Sequence, residues 1–136
     1  MWLLQLREFS TYLDFPTLTW TEVEAVLRRL NGYRHDDAVL EYASGTAEAA
    51  WFILGGGEEG RVVVSVQPAG ADYPRHLVDT TQGDALVTQS VGGQETPLAG
   101  TFYVPLEMAL QAARYFYLHR ALDPTLQWAA PNFEEA

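Results

Sequence analysis

FILGGGEEGRVVV, residues 52–64, decides how this chain is read. An apolar run stops at three glycines and two glutamates, then restarts as a valine-rich segment. Consecutive glycines let backbone N–H groups close on an anion, so a phosphate-binding loop is one reading. Its neighbours oppose it. Glu58 and Glu59 repel phosphate, no lysine follows in the Walker pattern, and the next segment has the β-branched composition of a strand instead of a helix whose N-terminus faces the anion. A β-hairpin fits better: Phe52, Ile53 and Leu54 end one strand, residues 55–60 turn the chain through conformations open to glycine, and residues 61–66 run back.

The same texture extends to both sides. AVLEY, AAWFIL, RVVVSV, HLVDT and ALVTQSV are short β-branched or aromatic runs between Gly, Asp and Pro, and their close spacing with tight turns predicts antiparallel pairing. Val62, Val64 and Val66 alternate with Arg61, Val63, Ser65 and Gln67, which places one face on a core and the other nearer solvent. The pair GGQETPLAG and TFYVP adds an edge. At the N-terminus, Trp2, Leu4 and Leu6 alternate with Leu3, Gln5 and Arg7 and form a further strand or an extension over residues 1–15.

Two helices complete the pattern. In TWTEVEAVLRRLNG, Thr21 with Glu24 makes a capping box, with Thr19 and Glu22 the other register; Val23, Val26, Leu27 and Leu30 share one face, and Asn31-Gly32 closes the helix. The second helix opens at Pro105, whose missing N–H is harmless in a first turn, and carries a stripe of Leu106, Ala109, Leu110, Ala113, Phe116 and Tyr117. It ends between Leu118 and Ala121, after which Trp128 returns to pack and residues 129–136 trail off. The expected fold is α+β, an antiparallel sheet of five or six strands packed by two helices, in a single domain of 136 residues.

Composition narrows the partners. The chain has 8 basic residues, all arginine, against 18 acidic ones, a net charge of −10. Nucleic acid and anionic membranes are disfavoured, because phosphate contacts require excess positive charge. A basic protein partner is favoured, although an acidic surface also simply keeps a protein soluble. With no cysteine, disulfides, thiolate metal sites and cysteine nucleophiles are excluded, and a reducing cytoplasm suits the chain. The start MWLLQLREFS lacks the basic region and cleavage site of a signal peptide, and no apolar run is long enough to span a bilayer.

Candidate chemistry is sparse. His35-Asp36-Asp37 clusters metal-ligand types, but consecutive residues rarely converge on one ion, and a solvated turn is the expectation. His76 sits beside Arg75 in an expected turn, and His119 lies at a helix end where an imidazolium suits the dipole. Ser44, Ser65 and Ser90 lack a nucleophile-elbow context, and the carboxylates scatter over turns. No catalytic residue, metal or cofactor is expected. Aromatics beside acidic loops, Tyr73 next to Asp72 and Tyr33 near Asp36, have the composition of interface anchors.

Taken in order, WTEVEAVLRRLNG, ILGGGEEGRVVVSV, VGGQETPL and LEMALQAARYFYLHRALDPTLQW resemble the Imm1 family of bacterial immunity proteins, over roughly residues 18 to 128. The most specific elements are the Gly92-Gly93-Gln94 turn leading to a proline, Ala112, Ala113 and Phe116, and the closing Leu126-Gln127-Trp128. The resemblance implies a small α+β protein without catalysis of its own, free as a monomer or weak dimer, that binds and neutralises a cognate toxin. Family members are often associated with nucleic-acid deaminase toxins, and other toxin types occur. An inhibitor of such an enzyme profits from acidic loops that enter a basic groove, which makes Glu58 and Glu59 contact residues, followed by Asp36, Asp37, Asp72, Tyr73 and Glu95 in other predicted turns. The plain alternative for the tip is a solvated hairpin whose charges prevent edge association. At the level of function the alternatives are a small enzyme or ligand-binding domain with a cleft between the long helix and the sheet, and an adaptor subunit.

Overall fold

The computed structural model describes residues 2–16, 19–43 and 49–129. Along the chain run β1 (Trp2–Glu8), β2 (Thr11–Pro16), α1 (Trp20–Leu27), β3 (Asp37–Tyr42), β4 (Ala50–Gly56), β5 (Arg61–Gln67), β6 (Arg75–Val78), β7 (Leu86–Val91), β8 (Gln94–Ala99), β9 (Val104–Pro105), α2 (Leu106–His119) and β10 (Gln127–Ala129). The class is α+β, as the sequence indicates, but the main sheet is larger than expected: eight antiparallel strands among the described residues, in the order β10-β6-β5-β4-β3-β1-β2, with β9 pairing the start of β5. The additional strands are β2, whose alternation Leu13 and Phe15 against Tyr12 and Asp14 is short, and β10, three residues long. β7 and β8 form a separate two-stranded hairpin: GGQETPLAG folds back on ALVTQSV instead of pairing with TFYVP, whose Val104 and Pro105 join β5.

Both helices lie on one face. Strand register brings Leu4 opposite Leu40, Leu40 opposite Phe52, and Phe52 opposite Val66; Leu6, Ala38, Leu54 and Val64 form the next row. These side chains are fully buried against Val23 and Leu27 of α1 and Ala109, Ala113 and Phe116 of α2. Phe116 meets Phe52 at 5.7 Å and Trp2 edge-on at 5.6 Å. Trp128 packs against this core, as its return predicts. Leu110 is 4% exposed and borders an open cavity, so its neighbours can partly relax. Leu110→Ala is expected to lose about 2–3 kcal/mol in denaturant melts, the low end for a buried leucine; a loss below about 0.5 kcal/mol would mean the stripe does not bear on the core.

α1 departs from its expected ends. The capping box uses the other register: Glu22 N–H donates to Thr19 Oγ1 at 3.3 Å and Thr19 N–H to Glu22 Oε1 at 3.0 Å. Glu24 is thereby free to pair with Arg28 at 2.8 Å, and Arg28 also reaches Glu107 at 2.6 Å, joining the two helices. The helix stops at Leu27, before Asn31-Gly32, because Arg29 and Leu30 tighten into three-residue turns on Val26 and Leu27. Asn31 Oδ1 then accepts from the N–H groups of Tyr33 and His35 and shapes the loop into β3. α2 follows its pattern, with Pro105 capping its start and Arg120 in a left-handed conformation closing its end. The expected loose tail lies, from residue 130 on, outside the described residues; Ala129 is buried in β10 opposite His76.

Candidate acidic interface at one end of the sheet

The three glycines of the opening stretch each leave room for a specific neighbour. A Cβ at Gly55 would sit 2.3 Å from Val91 Cγ1, and one at Gly56 would sit 2.3 Å from Gln89 Oε1, so the β7–β8 hairpin lies flat on the end of β4. A Cβ at Gly57 would lie 2.7 Å from the carbonyl carbon of Leu30 and 2.8 Å from Asn31 N, on the opposite side. The turn is thus clamped between a hairpin and the exit of α1. Gln89, 5% exposed, completes the clamp: its Oε1 accepts from Gly57 N–H at 3.0 Å and Glu58 N–H at 3.1 Å. Glu58 and Glu59 project from this fixed base into solvent, with Glu59 in the left-handed region at φ 56°.

Asp36 and Asp37 sit beside the tip but not in the solvated turn expected of them. Asp36 is 3% exposed; its Oδ2 accepts from Ser90 Oγ at 2.8 Å and Gly93 N–H at 2.9 Å, and its Oδ1 lies 3.3 Å from Arg7 Nε. That carboxylate therefore fastens the two-glycine turn of β7–β8, with φ 60° and 83° at Gly92 and Gly93, to the sheet. His35 is buried as well, its Nδ1 3.0 Å from Arg7 O. Asp37 accepts a 2.6 Å bond from Tyr12 OH. Burial, helped by the neighbouring Asp36 charge, pushes the Asp37 carboxyl above its usual range, against the opposing pull of Tyr12 and Arg7. The hydrogen bond to Asp37, with burial second, raises the Tyr12 phenol in turn.

Of the remaining expected contact residues, Glu95 is exposed on β8 beside this end, paired across the hairpin with Ser90. Asp72 and Tyr73 are exposed in the β5–β6 loop, which joins the opposite end of β5. One end of the sheet therefore collects Asp36, Asp37, Glu58, Glu59 and Glu95, with Asp36 buried beneath the others, and leaves Asp72 and Tyr73 apart.

The same end carries two exposed aromatic side chains: Tyr33, expected as an interface anchor from its place near Asp36, and Phe9, which nothing in the sequence singles out as a contact residue. Phe9 is 54% exposed in the two-residue connection of β1 and β2, and Tyr33 is 80% exposed in the loop after α1. Their rings meet edge-to-face at 5.9 Å. Arg34 lies 5.9 Å over the Phe9 ring, pairs with Glu8 at 2.9 Å, and its carbonyl accepts from Phe9 N–H at 2.8 Å. Phe9 holds φ 54°, a conformation that opposes a bulky side chain by about 1–2 kcal/mol. The signal available in the sequence was a phenylalanine in a tight connection, EFST, where Gly or Asn is usual.

Elsewhere, His76 is on β6 and buried, not in a turn, and its Nδ1 lies 2.7 Å from Ser65 Oγ as a cross-strand pair on the helix-free face. His119 is exposed at the end of α2 with its ring 4.4 Å from Tyr115. A cavity of about 420 Å³ lies in the helix layer, between α1 and α2, lined by Trp20, Gln111, Arg114 and Asp123 among others. Asp123 is occupied by Thr125 and Gln111. Among the described residues no three of His, Asp and Glu converge at metal-binding distance, and no described helix is long and apolar enough to cross a membrane.

Compared with known proteins, the chain is similar to the family described as immunity protein Imm1, whose model matches residues 14–130, from within β2 to just past β10. No curated protein and no solved structure matches.

Proposed function

The chain belongs to the Imm1 family of immunity proteins, and from that premise we propose that it neutralises its cognate bacterial toxin by laying the acidic end of its sheet over the toxin's active site. The toxin acts on nucleic acid, a deaminase being the type the family resemblance favours. The observation that carries this reading is the clamped tip: Gly57 and the Glu58 backbone are held by Gln89 and the Leu30–Gly32 backbone, while the Glu58 and Glu59 side chains remain in solvent. A fixed base lowers the conformational entropy lost on binding, and a net charge of −10 steers encounter with a basic groove. Enzymes that handle nucleic acid need such a groove to hold phosphates. Inhibition by occlusion then needs neither metal nor cofactor.

The test is Glu58→Lys with Glu59→Lys, measured for association and dissociation against the toxin domain encoded by the neighbouring gene, carried as an inactive variant, at two salt concentrations. Both side chains are exposed, so the melt should move by no more than about 0.5 kcal/mol. Association should slow and lose its salt dependence; if a cation of the toxin is desolvated against the tip, dissociation should also accelerate by an amount worth about 2–5 kcal/mol. Unchanged rates with an unchanged melt would place the tip outside the interface.

A further inference from the structure

We propose that Phe9 and Tyr33 form the anchor of the toxin interface, a preformed aromatic wedge that enters an apolar socket rimmed by lysine or arginine on the toxin. The proposal rests on the toxin-binding reading and assigns it residues that neither the acidic tip nor the family match supplies. Single aromatics in solvent are ordinary, and Tyr12 and Tyr73 are exposed as well, but Phe9 and Tyr33 touch and make a shared apolar patch. They are not loose. Tyr33 follows Gly32, whose missing Cβ admits the Glu58 backbone, and Phe9 is tied through its N–H to Arg34. From Glu58 through Gly32, Tyr33 and Phe9 to Glu8, the acidic tip and the aromatic pair form one continuous surface.

Three properties fit an anchor. The rings are rigid and amphipathic contact area, the type that concentrates binding energy at the centre of interfaces. The backbone at Phe9 is held in a conformation that phenylalanine disfavours and glycine does not, and the ring remains exposed, its contacts among the described residues being with the surface side chains Tyr33 and Arg34. The charges around the pair are Glu8, Glu58 and Glu59 against Arg34, which Glu8 engages, and Arg29, whose charge also reaches Glu8, so the balance is acidic. A partner that covers the rings must therefore meet carboxylates at its rim, which selects a basic surface over a second copy of this acidic chain.

The experiment compares Phe9→Gly, Tyr33→Ala and the double variant for thermal stability and for binding to the same inactive toxin domain. Phe9→Gly suits the local backbone and Tyr33 is largely in solvent, so both variants should melt within a few degrees of the parent. Each should weaken toxin binding by about 30-fold or more, chiefly through faster dissociation, with the salt dependence of association retained. The double variant should lose less than the product of the single losses, because the rings act as one unit. Affinities within about three-fold of the parent, while charge reversal at Glu58 and Glu59 still weakens binding, would overturn the anchor and leave the function standing. A parent protein that does not bind the toxin at all would overturn both. If Phe9→Gly unfolds the protein, Tyr33→Ala alone decides. Loss of a concentration-dependent dimer with toxin binding intact would instead reassign the wedge to self-association.

Discussion

Gly57→Ala is expected to destabilise the protein by about 2–6 kcal/mol, a large share of the about 5–15 kcal/mol that holds an ordinary domain together. Two independent penalties combine. The residue holds φ 113° and ψ −3°, a region closed to side chains, which alone opposes folding by about 1–3 kcal/mol. The new methyl would also press into the Leu30 carbonyl carbon and Asn31 nitrogen at 2.7 and 2.8 Å, backbone atoms that cannot rotate away as a side chain would. Displacing them adds the usual overpacking penalty of about 1–3 kcal/mol. Gly60→Ala provides the control: its φ is 72°, but nothing lies within 4 Å of an added Cβ, so only the strain penalty of about 1 kcal/mol applies. Equal melts for the two variants in denaturant would show that the contact with α1 carries no weight.

Asp36→Ala should lose about 3–5 kcal/mol, as expected when a buried carboxylate that faces an arginine and accepts two hydrogen bonds is removed. The substitution strips acceptors from Ser90 Oγ and Gly93 N–H and leaves the Arg7 guanidinium, whose side chain is 19% exposed, facing an empty site. Asp36→Asn keeps one acceptor oxygen and should lose about half as much. The loss should be local in origin: amide exchange at Gly93 should accelerate before exchange in β4 or β5. An Asp36→Ala protein as stable as the parent would remove the carboxylate from its role as a fastener, and its place among direct toxin contacts would have to be reconsidered.

The parts of the fold that were legible in the sequence depend on local pattern. The alternation Val62, Val64, Val66, the stripe through Leu110 and Phe116, and the glycine turn each announce their element because period and turn chemistry agree. What stayed hidden depends on distant partners. Asp36 reads as a solvated turn residue because its acceptors' donors lie 54 and 57 positions away. The same distance conceals the packing of Val91 and Gln89 on glycine, although it explains why three glycines occur together. The capping register was ambiguous because two Thr-x-x-Glu frames overlap, and only the helix start at Trp20 selects Thr19. For the candidate interface, the acidic tip was visible as composition. Tyr33 was visible as an aromatic beside an acidic turn, but Phe9 was not, since an aromatic residue is by default assigned to the core.

The order of the strands carries a kinetic consequence. From β3 through β4 and β5 to β6, each strand pairs with the one that follows it, and β1 pairs with β2 across a two-residue connection, so most of the sheet can zip from neighbouring segments. Short loop closures sacrifice little chain entropy before contacts compensate for it, and an eight-stranded sheet built this way should form in roughly milliseconds to a second, without the delays of long-range pairing. The longer closures are those of β1 on β3, β9 on β5 and β10 on β6. The surface formed by Phe9, Tyr33 and Glu58 lies wholly in the first half of the sequence and needs only Gln89 and the β7–β8 hairpin to complete its clamp. During synthesis, then, the strands and turns of this end can begin to pair before the last helix is made, and α2 closes the core over them when it packs on the sheet.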